Sequence, residues 1–189
     1  PLAAGPVRRV LLCIVGLAFA YGALELAIPA YAQEHGDSPG LLLSVWAIGS
    51  VVGGLAFAAR AWRATAQRMM AVLLALNLVG LAAIPFAASP RQLGVLLVVN
   101  GLTNAPVIAT FYVLVEDLAP AGTVTEAFTW ISTTFLVGIS AGVATAGVVA
   151  DGAGPTTAFW LGAAGAAFAT AAALVRRAGL HAAPDPAAP

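Results

Sequence analysis

Lysine is absent from this 189-residue chain, cysteine occurs once, histidine twice, and charged residues make up only 8% of it. Each scarcity excludes something. A lone Cys13 rules out a disulfide framework and any cysteine-based zinc or iron–sulfur centre, which need several ligands. Set inside an apolar run, it reads as a small core residue. The eight basic residues, all arginine, are balanced by eight acids, so no basic field exists to attract nucleic acid. His35 and His181 fall outside the apolar segments, so no histidine stands within a span to activate a serine, and no His-Glu-x-x-His or Gly-x-x-x-x-Gly-Lys pattern occurs. A hydrolase, a metalloprotease and a nucleotide-driven pump are therefore not expected, and neither are catalytic residues, a metal or a cofactor. So few charges could not keep a globule of this size dispersed in water.

What the chain has instead is apolar length. Hydrophobic residues make up 61% and the mean hydropathy is +0.96, so the partner of its surface is a lipid bilayer. Crossing about 30 Å of hydrocarbon at about 1.5 Å per residue takes roughly 20 residues with every backbone group bonded internally, which calls for helices. Six segments qualify, near Val10–Tyr31, Leu41–Ala59, Met69–Ala88, Leu93–Val115, Val124–Ala150 and Thr157–Val175. The expectation is an all-α membrane protein, residues 1–178 forming a six-helix transmembrane bundle and residues 179–189, rich in Ala and Pro, a disordered tail. Arg8, Arg9, Arg60, Arg63, Arg68, Arg176 and Arg177 fall on one side of these spans and only Arg91 on the other. Arginine-rich short loops stay inside, so both ends of the segment are predicted cytoplasmic. Tyr31, Trp46 and Trp160 near the outer ends, and Trp62 and Trp130 near the inner ends, read as headgroup-depth aromatics. A start at Pro1 points to a longer reading frame. Abundant Ala, Gly, Pro and Arg without Lys points to a GC-rich bacterial genome and hence a bacterial plasma membrane.

A faint repetition divides the six spans into two inverted three-helix repeats. The first span (Tyr21, Glu25, Pro29) and the fourth (Asn100, Thr103, Asn104, Pro106) combine polar residues with proline; the second (Gly49, Gly53, Gly54) and fifth (Gly138, Gly142, Gly147) carry close glycines. The third and sixth are aliphatic or alanine-rich and read as lipid-facing supports, Asn77 apart. Gly49-x-x-x-Gly53 and Gly138-x-x-x-Gly142 place small residues on one helix face, where another backbone can approach.

Glu25 carries the most information, because a carboxylate at hydrocarbon depth costs about 2.5–3.5 kcal/mol and needs a cavity or a partner. It reads either as a proton or substrate contact, sharing a cavity with Tyr21 one turn earlier, or as a group reaching outer water. Asn100, Thr103, Asn104 and Phe111 share one face of the fourth span, as substrate-lining groups or as interhelical hydrogen bonds. Trp130 and Thr133 extend toward the same cavity from the fifth span, behind Thr123-x-x-Glu126, which reads as a capping box. Arg60 and Arg63 opposite Glu116 and Asp117 form either a cytoplasmic gate or a set of solvated loop charges.

Three stretches carry a family likeness: Gly53-Gly54-Leu55-Ala56-Phe57-Ala58-Ala59-Arg60-Ala61-Trp62-Arg63, Leu118 through Trp130, and Gly138-Ile139-Ser140-Ala141-Gly142 running to Gly147 and Asp151-Gly152-Ala153-Gly154. In them the chain resembles the carboxy-terminal half of a major facilitator superfamily transporter, of the bacterial drug-efflux-like branch. The resemblance implies a twelve-helix fold in two halves, with this chain supplying helices seven to twelve and an amino-terminal six-helix half preceding it. The first and fourth spans would line the central cavity. The family's cytoplasmic signature is only echoed, in Gly54, Arg60 and Arg63, without its Asp. The implied activity is alternating-access, proton-coupled export of a small solute. The alternative is a six-helix scaffold or accessory subunit in which Glu25 and the asparagines hold helices together.

Overall fold

The computed structural model describes residues 5–120 and 122–174; the proposed tail at 179–189, with Arg176, Arg177 and His181, lies outside them. The described chain forms α1 (Gly5–Glu34), α2 (Pro39–Ala58), α3 (Ala66–Ala83), α4 (Pro90–Gly101), α5 (Asn104–Leu118), α6 (Val124–Ala153) and α7 (Pro155–Leu174), with a 3₁₀ turn at Ile84–Phe86 prolonging α3. Six spans result, because α4 and α5 together make the fourth, Pro90–Leu118, and the spans run from 20 to 30 residues. This is the all-α, six-span half of a transporter fold that the hydropathy pattern and the family likeness predict.

The ends follow from the sequence locally. Pro39, Pro90 and Pro155 each open a helix, where a missing N–H costs nothing and the fixed φ is already helical. The Ser89 hydroxyl accepts from the Gln92 N–H at 3.3 Å and Thr65 accepts from Arg68 N–H at 3.4 Å, as helix caps do. The capping box expected at Thr123 does not form: its hydroxyl donates to the Pro120 carbonyl at 2.9 Å, and Glu126 is exposed. The Pro120 carbonyl, which also accepts from the Thr123 N–H at 3.0 Å, takes that hydroxyl first. Gly154, at φ 82°, reverses the chain between α6 and Pro155, a conformation glycine adopts without strain.

α1 is the axis of the bundle, buried along most of its length against α6 and α7, while α2 packs on α4 and α5. Glycine makes these approaches possible. A methyl group at Gly142 would meet the Phe19 carbonyl oxygen, one at Gly138 would lie 2.6 Å from Ala18 Cβ, and one at Gly22 would meet the Ile139 carbonyl oxygen. In the other repeat, methyl groups at Gly49 and Gly53 would meet the carbonyl oxygens of Val98 and Leu102, and one at Gly101 that of Trp46. The two sets correspond. Val98 and Leu102 follow Val15 and Phe19 by the same 83 residues that separate Tyr21 from Asn104, so each repeat lays the glycines of its second helix on the first helix of the other. The faint sequence repeat is therefore a packing exchange.

α3 and α7 are not purely lipid-facing supports. Buried Thr170 of α7 donates its hydroxyl toward the Leu74 carbonyl of α3 at 3.2 Å and the Ala166 carbonyl at 2.8 Å, and Asn77 is fully buried. Two core clusters result, one around Tyr21, Leu74 and Phe111, the other around Leu24, Leu81 and Phe159. Because backbone atoms cannot swing aside as side chains do, Gly53→Ala and Gly142→Ala are each expected to cost about 1–3 kcal/mol of overpacking. Thermal unfolding of the detergent-solubilised protein should show both clearly below wild type, with Gly94→Ala, whose methyl would meet only Leu42 and Val45 side chains at 3.7 and 4.0 Å, near the wild-type value.

Candidate functional site

The fourth span breaks where its polar residues lie. α4 ends at Gly101 and α5 starts at Asn104. Pro106 has no N–H to give the Leu102 carbonyl four residues back, and that carbonyl instead faces Gly53 of α2. At the break the Thr103 N–H bonds the Asn100 carbonyl at 3.1 Å, a tightened three-residue turn, and the Thr103 hydroxyl donates to the same oxygen at 2.8 Å. The helical ladder resumes with Val107 N–H to Thr103 O at 3.0 Å.

Side chains from α1, α2 and α3 converge on this break. The Tyr21 hydroxyl donates to Asn104 Oδ1 at 2.9 Å. The Asn77 Nδ2 lies 2.8 Å from Thr103 Oγ1, 3.1 Å from Asn104 Oδ1 and 3.2 Å from the Tyr21 hydroxyl. Asn100 donates back to the Asn77 carbonyl at 3.3 Å and accepts from Trp46 Nε1 at 3.1 Å. The Trp46 and Tyr21 rings meet edge to face, 5.6 Å between centroids. Asn77, Asn100, Asn104 and Tyr21 are all buried. The network carries no formal charge, and it ties four spans together at one level. Tyr21 and Asn104, equivalent under the repeat, are bonded directly to each other.

Two members escaped the sequence reading. Asn77 was assigned to a lipid-facing helix, yet a lone amide among aliphatic residues is costly in hydrocarbon, and that cost was the available signal. Trp46 was expected in the outer aromatic belt; its indole N–H turns inward because Asn100 offers a buried acceptor.

Glu25 is placed differently from Tyr21. Four residues advance a helix by about 40° past a full turn, enough to carry Glu25 out of the network to an exposed position on α1. The single shared cavity expected for Tyr21 and Glu25 is thus two environments. On α6, Trp130 is half-buried against the Tyr21 cluster, while Thr133 is exposed and bonded to the Thr129 carbonyl at 3.0 Å. Between α5 and α6 lies a cleft of about 330 Å³ lined by Ile108, Phe111, Tyr112, Ile131, Ser132 and Phe135, among others. At the loop end, Arg60 lies over the Trp62 ring at 5.1 Å, and Arg63, Glu116 and Asp117 are exposed. A double-mutant cycle of Tyr21→Phe and Asn104→Ala, read by reversible unfolding in detergent, is expected to give a coupling near the membrane-protein average of about 0.6 kcal/mol and no higher than about 1.7.

A search of curated proteins returns no significant match. The family model of the Major Facilitator Superfamily matches residues 10–189, nearly the whole chain. Together with six apolar spans, paired glycine-mediated packing and a polar break in the fourth span, this identifies the chain as a multi-pass member of the major facilitator superfamily, a family of membrane transporters of small solutes.

Proposed function

We propose that this chain is the carboxy-terminal half of a proton-coupled efflux carrier that exports a small amphipathic solute by alternating access, in a bacterial plasma membrane with both ends of the segment cytoplasmic. The observation that carries the reading is Glu25: a carboxylate within a span and exposed where the other helices leave α1 uncovered. Such a group faces a polar medium or a partner, since in lipid it would be costly. An amino-terminal half seated across that face would enclose Glu25, Thr133 and the α5–α6 cleft in one cavity. Protonation and release of Glu25, coupled to solute exchange there, is then the transport step, and Arg60, Arg63, Glu116 and Asp117 form the cytoplasmic gate that closes as the halves rock.

The scaffold alternative draws its support from the asparagines, which bond between helices with no solute required, although the buried Asn77 Oδ1 has no partner among the described residues. Tyr21 and Asn104 are buried and do not separate the two readings. Accessibility of the exposed residues does. Cysteines at Glu25 and Thr133 in the intact protein should react with membrane-impermeant thiol reagents and be protected by transported solute, whereas in a scaffold they stay unreactive.

Glu25→Gln in the intact carrier is expected to abolish pH-gradient-driven efflux from proteoliposomes while leaving solute binding within about threefold, a split expected when one coupling group alone is lost. Unchanged pH-driven efflux in that variant would remove Glu25 from the mechanism.

A further inference from the structure

At the end of the bundle where Arg8, Arg60, Arg63 and Arg68 stand, α1, α3, α5 and α7 enclose a separate cavity of about 70 Å³. It shares helices α1, α3 and α5 with the Tyr21–Asn104 network but lies about two turns or more along them, and none of the network's side chains lines it. Its floor is apolar and closed: Val10, Cys13, Met70 and Leu114 are all buried. Its mouth is polar, formed by Arg9 of α1 and Gln67 of α3. Arg9 is half-buried, and its Nε is buried without an acceptor among the described residues.

That combination is chemically lopsided. An N–H donor on a permanent cation, removed from water and left without an acceptor, costs more than its neighbours return. A guanidinium fork matches oxyanions that accept two hydrogen bonds at once, phosphate above all. At roughly 10–15 Å³ per water-sized group, the cavity holds on the order of five heavy atoms, the size of one phosphate. α1 and its 30 residues exceed what the hydrocarbon needs, so its first turns stand at headgroup depth. Basic pockets between spans at that depth, with an apolar floor, are suited to anionic lipid headgroups.

We infer that this cavity binds a phosphate-bearing anion, held by Arg9 and Gln67 above the Cys13 floor. An anionic phospholipid and free inorganic phosphate share that chemistry, and their sources can be told apart. Cys13 is the reporter, because it lies in the cavity floor and its peptide is identifiable by mass spectrometry. The intact protein is reconstituted in phosphatidylcholine vesicles, in vesicles with added phosphatidylglycerol, or in phosphatidylcholine with inorganic phosphate, and Cys13 is alkylated by a small uncharged reagent. An anion at about ten times its Kd should slow alkylation about tenfold, since only the unoccupied fraction reacts. Slowing by phosphatidylglycerol alone assigns a lipid site; slowing by inorganic phosphate as well assigns a site for the free anion. In either case Arg9→Gln abolishes the protection, and Arg8→Gln, outside the cavity, retains it. A melting temperature measured for each variant identifies any that fail to fold. Protection by neither anion, or equal protection in folded Arg9→Gln, overturns the proposal.

Discussion

The contact between backbones at the glycines is what the rest of this structure depends on. Within lipid, no difference in apolarity drives one helix against another, and association comes from close packing and polar contacts instead. Gly138 and Gly142 let α6 rest on the carbonyls of α1, and Gly49 and Gly53 let α2 rest on those of Val98 in α4 and Leu102 at the break. Both pairs sit at corresponding places in the two repeats. Because each pair joins one repeat to the other, neither three-helix unit can be laid down alone with its small-residue face covered. The exchange fixes how deeply α1 is buried, and α1 then provides the axis on which α6 and α7 are arranged.

The polar network is a consequence of that proximity. Bringing α2 against the fourth span places Trp46 within reach of Asn100, and burying α1 places the Tyr21 hydroxyl against Asn104. At the break the Asn100 carbonyl is taken up by the Thr103 N–H and hydroxyl, while the Leu102 carbonyl is packed against Gly53 within the protein. Irregular backbone at membrane depth persists only where protein or water satisfies it. Asn77 is the member that spans the break, reaching Thr103 and Asn104 from α3 while its own carbonyl receives Asn100. A chain of hydrogen bonds across four spans at one level is therefore a stiff point, around which longer apolar contacts can shift.

The groups proposed to meet solute lie elsewhere. Glu25, Thr133 and the α5–α6 cleft are on surfaces the six spans do not cover, whereas Tyr21, Asn100 and Asn104 are inside. The residues most eye-catching in the sequence thus divide by one helical turn into those that hold the bundle and those free to meet something outside it. On the proposed carrier reading, a rigid half would carry its cavity wall without remaking it.

The sequence alone determined the number of spans, their approximate limits, the correspondence of first with fourth and second with fifth, and the close approach at Gly49, Gly53, Gly138 and Gly142, though not at Gly22 or Gly101. These are properties of apolar length, of proline and glycine punctuation, and of spacing along a single helix, which local physics settles. The side of the bundle on which Asn77 and Trp46 would end, the capping of α6, and the parting of Glu25 from Tyr21 were decided only by the tertiary structure. Each turns on which helix arrives opposite. A buried acceptor drew the Trp46 indole inward, a turn carbonyl claimed the Thr123 hydroxyl, and the seating of α6 against the Gly22 side of α1 left Glu25 outside. A polar side chain in a span announces that it needs a partner; only the packed bundle names the partner.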